Sequence, residues 1–379
     1  MTILLAPDKF KGSLTAEEVC DAIAQALTES GLNLNIIKHP LADGGEGSCD
    51  LLTQYSGGFF RNLVVRDPLF RFCESGYGIS KDGSTAFLEM ARASGLQLVN
   101  KAQRNPLLTT TYGTGQLMRD ALDHGVKKII MGVGGSATND GGMGMAQALG
   151  LIFYDVNEQK LDPVGKNLKH VYQIDARNLH PRIAEVAVTI FCDVDNPLHG
   201  PHGAAHVFAP QKGATPQMVS ELNEGLINYE SVLQNTFQRI VNFPGAGAGG
   251  GLPASLQALT NLTIRPGAEF MIEFTALEKV INQADVVITG EGKMDEQTLS
   301  GKVVKGVADL ARRNKKPVYV VVGRNELSVD QCQALGIQKP VTISGSGVTD
   351  EEALKNAFSL LKQRIREEII PLLLSARAD

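Results

Sequence analysis

A chain of 379 residues exceeds one ordinary hydrophobic core and calls for about two domains. With 36 lysines and arginines against 41 acids and no basic block, its net charge of −5 argues against nucleic acid as a partner. The absence of tryptophan argues against a base-stacking platform, and no run approaches the ~18 apolar residues of a membrane span.

Five scattered cysteines without a C-x-x-C read as reduced thiols in a cytoplasmic protein. The apolar start, ended by Pro7-Asp8-Lys9, is too short for a signal peptide.

In chain order, "TILLAP" reads as a strand that runs into "DKFKGSLTAEE". A helix follows, opened by a capping box from Thr15 to Glu18, with Ala16, Val19, Cys20, Ile23, Ala26 and Leu27 at helical spacing. "LNIIKHPL" is a second strand; it empties into "ADGGEG" and the helix "SCDLLTQY". This is the grammar of a doubly wound sheet.

Between Phe59 and Phe87, short alternating runs predict antiparallel strands. "KKIIMGVGG" and "VAVTIFCDV" are apolar strands, each ending in a polar loop, and Pro244–Gly251 ("PGAGAGGG") is the strongest break in composition. The tail returns to the first grammar. "ADVVITG" is a buried-strand run, followed by "EGKMDEQTLSGK", the helix "VVKGVADLARRNK", and the strands "PVYVVVG" and "PVTISG". A last amphipathic helix aligns Leu354, Ala357, Phe358, Leu361, Ile365 and Ile369 on one side.

The expected fold class is therefore α/β. A discontinuous, Rossmann-like doubly wound domain (1–60 and 270–379) carries an inserted mixed α/β domain (61–269) that holds the main glycine-rich loop.

That loop, "MGVGGSATNDGGMGMAQALG" from Met131 to Gly150, joins an apolar strand to a helix-like run. Phosphate binding needs inward-pointing amides and glycine where a side chain would block the approach. Gly134, Gly135, Ser136, Thr138, Asn139, Gly141 and Gly142 are the candidate phosphate contacts. The stretch contains no lysine, and none of the chain's Gly-Lys pairs completes a Walker pattern.

At the ends of other strands, "DKFKGS" offers Asp8, Lys9, Lys11 and Ser13, either for an anionic group or as solvated lysines beside a helix start. "ADGGEG" offers Asp43 and Glu46, and "EGKMDE" offers Glu291, Lys293 and Asp295. "CDVDNPLHG" places Asp193 after a strand. Its carboxylates suit Mg²⁺ beside substrate phosphates, and its Asp-Asn-Pro equally suits a turn. His199, His202 and His206 are broken by glycine and proline and suit structural roles better than a zinc site. Residues 245–251 read as either a second anion loop or a hinge.

Seven segments, "LLAPDKFKGSLTA", "PLADGGEG", "GVGGSATNDGGMGMAQALG", "CDVDNPLHGPHGAA", "QKGA", "PGAGAGGGL" and "TGEGKMDEQTLSGK", resemble in order the glycerate kinase type-1 family. His202 departs from the asparagine more usual there. The resemblance implies ATP-dependent phosphorylation of D-glycerate, to 2-phosphoglycerate in preference to 3-phosphoglycerate, with Mg²⁺, in a cleft between two α/β domains. In this reading the glycine loop takes the nucleotide phosphates, and Lys9, Lys11, Asp43 and Asp193 are catalytic. Asp8, Ser13, Glu46, Glu291 and Lys293 contact the acid, and Asp193 and Asp295 hold the metal. Oligomeric state stays open. A kinase for another small hydroxy acid is the near alternative; a dinucleotide-dependent hydroxy-acid oxidoreductase and a small-anion binding protein are the two from other classes. Neither fits as well: the glycine fingerprint lacks its downstream acid, and no export signal is present.

Overall fold

The computed structural model describes residues 1–299, 301–337, 340–344 and 348–375. Ser300 of the "EGKMDEQTLSGK" segment and Gly345 of the expected strand 340–345 lie outside them.

In chain order the strands are β1 (Thr2–Leu5), β2 (Asn35–Lys38), β3 (Phe59–Arg66), β4 (Phe72–Ile79), β5 (Thr85–Glu89), β6 (Lys128–Gly132) and β7 (Ile152–Tyr154). They continue with β8 (Gln173–Asp175), β9 (Ala187–Phe191), β10 (Asn261–Arg265), β11 (Val286–Met294), β12 (Val318–Asn325) and β13 (Val341–Thr342). The chain forms two compact units, residues 1–43 with 266–379, and residues 44–265.

The first unit holds a parallel sheet in the order β13-β12-β11-β1-β2. Because side chains alternate along a strand, a sheet covered on both faces needs continuous apolar strands, and β1 meets this. Ile3 and Leu5 pack into one core with helix Ala16–Glu29, while Leu4 packs into another with helix Val303–Arg313. Thr15 opens the first helix with its capping box intact.

The chain leaves β1 toward β2 over one face and leaves β11 toward β12 over the other. The strand order therefore reverses between β1 and β11, which opens a crevice at their carboxyl ends.

The C-terminal stripe is less regular than its spacing predicts. Ala357, Leu361, Ile365 and Ile369 are buried, but Leu354 is 52% exposed. Asn356 interrupts the helix with φ −112° and ψ 19°, and a π-turn at Ile365–Ile369 shifts the face again.

The second unit holds a mixed sheet in the order β10-β9-β6-β5-β4-β3. β5, β6, β9 and β10 are parallel, and β3, β4 and β5 are joined antiparallel, as the alternation in 59–87 predicts. Helix Ser48–Tyr55 packs on β4 and β5. Register aligns Glu89, Gly132, Phe191 and Arg265 across the carboxyl ends of the four parallel strands. Both the glycine loop and Asp193 leave the sheet at this edge.

Candidate active site

Sequence candidates gather in two places, one in each unit. In the first unit, Asp8 follows β1, Asp43 follows β2 and Glu291 lies in β11. Asp8 N donates to Gly290 O and Leu41 N to Pro7 O, so the chain past β1 stays zipped between both neighbours.

Lys9 Nζ bridges the two aspartates, 3.0 Å from Asp43 Oδ1 and 3.5 Å from Asp8 Oδ1. Burial pushes the Asp8 carboxyl up to about 7; Lys9 opposes the rise and the Asp43 charge adds to it. Burial pulls on Lys9 as well, but the two aspartates hold its amine above the ordinary value. Glu291 Oε1 accepts a bond from Thr298 Oγ1 at 2.6 Å, and burial lifts Glu291 to about 7.

The neighbouring candidates serve the local chain. Ser13 Oγ donates to Phe10 O at 3.0 Å and shapes the turn that leaves Lys11 exposed. A Cβ at Gly292 would stand 2.8 Å from Lys11 N, so this glycine lets the turn rest on β11. Lys293 pairs with Glu326 at 2.8 Å and Asp295 at 3.4 Å. The other Asp295 oxygen accepts Gln297 N at 3.0 Å. Glu46 belongs to the second unit and is exposed.

In the second unit the glycine loop has an open tip and a packed base. Gly134 and Gly135 are exposed, and a Cβ on Gly134 would meet only Gly45 Cα, at 4.0 Å. From Ser136 onward the loop is buried and tied to its neighbours. Leu96 N donates to Gly135 O, Ala137 N to Ser94 O, and Thr109 Oγ1 to Ala137 O.

Asp140 is fully buried and accepts from Thr111 N, Thr111 Oγ1, Gly142 N and Gly144 N. Its carboxylate closes the turn and is spent on these donors. Gly141 and Gly142 take φ of 62° and 80°; a Cβ there would lie 2.8 Å from Tyr229 and 2.9 Å from Ser255. Their glycine character is thus already required by packing. The 245–251 segment lies beneath the loop: Gly250 O accepts Gly141 N at 3.0 Å, and a Gly250 Cβ would strike Thr138 O. It is a floor of close backbone contacts.

Lys212 was not singled out by sequence reasoning. Its side chain is fully buried, and its Nζ donates to Ser136 Oγ at 2.7 Å and Thr138 O at 2.6 Å. Gly213, with φ 94°, turns the chain where a Cβ would stand 2.4 Å from Arg104 O. The only signal was the short segment "QKGA", in which a lysine reads as surface.

Asp193 and Asp195 are exposed beyond β9. Since Phe191 pairs with Gly132, Asp193 and Gly134 leave adjacent strands in register. Asn196 Nδ2 donates to His202 O at 2.8 Å, which closes the turn. His199 pairs with Glu230 and Asn242, while His202 and His206 are exposed. Among the described residues, no group of three or more His, Cys, Asp or Glu side chains could by itself hold a metal. No helix there is long and apolar enough to cross a membrane.

An α/β fold with charged groups at a switch point in one unit and a glycine turn backed by a lysine in the other is compatible with an enzyme that handles anions, and comparison along the whole chain defines the class as a phosphotransferase. The chain belongs to the glycerate kinase family, whose model matches residues 3–373. It is 42% identical over 366 residues to the glycerate kinase of Halalkalibacterium halodurans, covering 96% of each chain. It is 40% identical over 359 residues to the glycerate 2-kinase of Escherichia coli K12, covering 94% of each. The crystal structure of a protein assigned as glycerate kinase 2 from Salmonella typhimurium LT2 matches with a TM-score of 0.85 at 40% identity, covering 100% of this chain and 99% of that one. The oxidoreductase and binding-protein alternatives fall away with this membership.

Proposed function

We propose that the enzyme transfers the γ-phosphoryl group of ATP to the 2-hydroxyl of D-glycerate. The observation that carries this reading is near full-length similarity to relatives named glycerate kinase and, in Escherichia coli, glycerate 2-kinase. The glycerate oxygen forms a bond to the γ-phosphorus, the bond to the β–γ bridging oxygen breaks, and the hydroxyl proton passes to a carboxylate. Such a transfer asks the protein chiefly for positioning and charge neutralisation.

Lys9 and Lys11 supply positive charge to the acid or to the moving phosphoryl group. Asp43 keeps Lys9 charged and oriented. Asp8 is the carboxylate best matched to take the proton, because a general base works best near the operating pH and burial lifts Asp8 to about 7. Glu291 shares that property and, with Glu46 and Lys293, belongs to the acid-binding set. Ser13 acts through the turn that presents the two lysines.

The exposed Gly134–Gly135 tip takes the nucleotide phosphates on backbone amides, over a base formed by Ser136, Thr138, Asn139, Gly141 and Gly142. Mg²⁺, when bound, neutralises charge on the phosphate oxygens; it commonly needs only one or two protein carboxylates beside them. Asp193, exposed at the sheet edge, fits that requirement. Asp295, whose oxygens also meet Lys293 and Gln297 N, is the second carboxylate of this set.

Phosphorus NMR of the protein with ATP, Mg²⁺ and D-glycerate tests the reading. A new phosphate-ester signal coupled to one proton is expected. Coupling to two protons would move the reaction to the 3-hydroxyl, and no new signal would refute glycerate as the substrate.

A further inference from the structure

The stretch from Met131 to Gly150 contains no lysine or arginine, yet a cation reaches it from Lys212. We propose that Lys212 is a positioning residue for the phosphate loop: its ammonium holds Ser136 and Thr138 so that the Gly134–Gly135 tip receives the phosphate chain of the nucleotide. This deepens the functional reading above and rests on it.

Three observations carry the inference. Lys212 Nζ has two acceptors, and both belong to the loop. The first, Ser136 Oγ, lies on the residue that directly follows the exposed glycine pair. Asp140, the loop's one acidic residue, is saturated by four donors, so its bonding capacity is spent on the fold.

A charge in a dry interior acts over a longer range than one in water, so an ammonium beneath the tip favours an anion above it. Burial drives the Lys212 amine down to about 7, with Asp140 opposing, so an approaching phosphate would favour its charged form. Thr138 Oγ1 and both amide atoms of Asn139 are buried without a hydrogen-bond partner. The loop therefore retains polar capacity that its own packing does not use.

The test compares the full-length protein with Lys212→Met, Lys212→Arg and Ser136→Ala. It uses calorimetric titration with ATP and Mg²⁺, and steady-state kinetics for both substrates. Lys212→Met is expected to weaken ATP about tenfold or more, the scale of a lost hydrogen bond to a charged group. KM for ATP should rise while KM for D-glycerate stays put, and Lys212→Arg should recover part of the loss. A folded Lys212→Met variant with unchanged ATP affinity, or with its loss confined to D-glycerate, would overturn the proposal. If Lys212→Met does not fold, Ser136→Ala decides: weaker ATP binding supports the positioning role and unchanged binding refutes it. Failure of the glycerate reading is distinguishable, because it appears in the wild type as ATP binding without a phosphate ester.

Discussion

Lys9 and Lys212 each bring a cation to a loop that follows a parallel strand, but their neighbours differ. Lys9 lies between Asp8 and Asp43, two carboxylates that overcome the cost of burial and hold the amine charged. Lys212 is more deeply buried, and its direct partners are a hydroxyl and a carbonyl. With only Asp140 to oppose burial, its amine falls to about 7. One site holds its positive charge firmly, and the other holds it weakly until an anion arrives. What separates them is the presence of paired carboxylates, because burial acts on both amines in the same direction.

Removing a member of the paired site should have the largest effect. Lys9→Ala leaves Asp8 and Asp43 facing each other without their cation, and turnover should fall by about 10²-fold or more, the scale of a lost charge-stabilising group. Circular dichroism should show the fold retained, and wild-type rates would remove Lys9 from the mechanism. Asp193→Asn comes next. It should lower the rate and raise the Mg²⁺ concentration needed for half-maximal activity; an unchanged Mg²⁺ profile would leave Asp193 as a turn residue.

A smaller effect separates the two regions by pH. Asp8 and Glu291 bind protons more tightly in the fold than in the unfolded chain, rising to about 7 from 3.8 and 4.5. Their contribution to stability is full below the unfolded values and is lost as pH climbs toward 7. Lys212 has the opposite sign: its pKa drops from 10.5 to about 7, so its contribution is full above 10.5 and is lost as pH falls toward 7. Urea midpoints against pH should therefore flatten between about 4 and 7 in Asp8→Asn, and between about 7 and 10.5 in Lys212→Met. Equal flattening in both windows for either variant would contradict the separation.

Local rules carried much of the fold into view. The capping box at Thr15, the continuous apolar run of β1 and the alternation through β3 and β4 each depend on neighbouring residues, and each gives the element it predicts. The stripe on the last helix broke where Asn356 and a π-turn changed the period, and Leu354 turned outward.

The candidate site was legible in its residue types more than in its geometry. Asp8, Lys9, Asp43 and Glu291 could be gathered from the rule that ligands meet strand ends. Lys212 could not. Its partners lie 76 and 74 residues earlier in the chain, and its burial depends on a turn made possible by Gly213. The glycines divided in the same way: sequence weighs Gly134 and Gly142 alike, yet one is open and the other fills a gap beside Ser255.

That division selects the most direct test of the central claim, that the loop tip receives nucleotide phosphates while the β1 edge receives the acid. Gly134 is exposed, its φ is not positive and nothing crowds its Cβ, so Gly134→Leu can fold while covering the tip. The measurement is the dissociation constants of ATP and D-glycerate for this variant beside the wild type. The account predicts ATP binding weakened about tenfold or more, with D-glycerate unchanged. Unchanged ATP binding with weakened D-glycerate would contradict it and assign the tip to the acid.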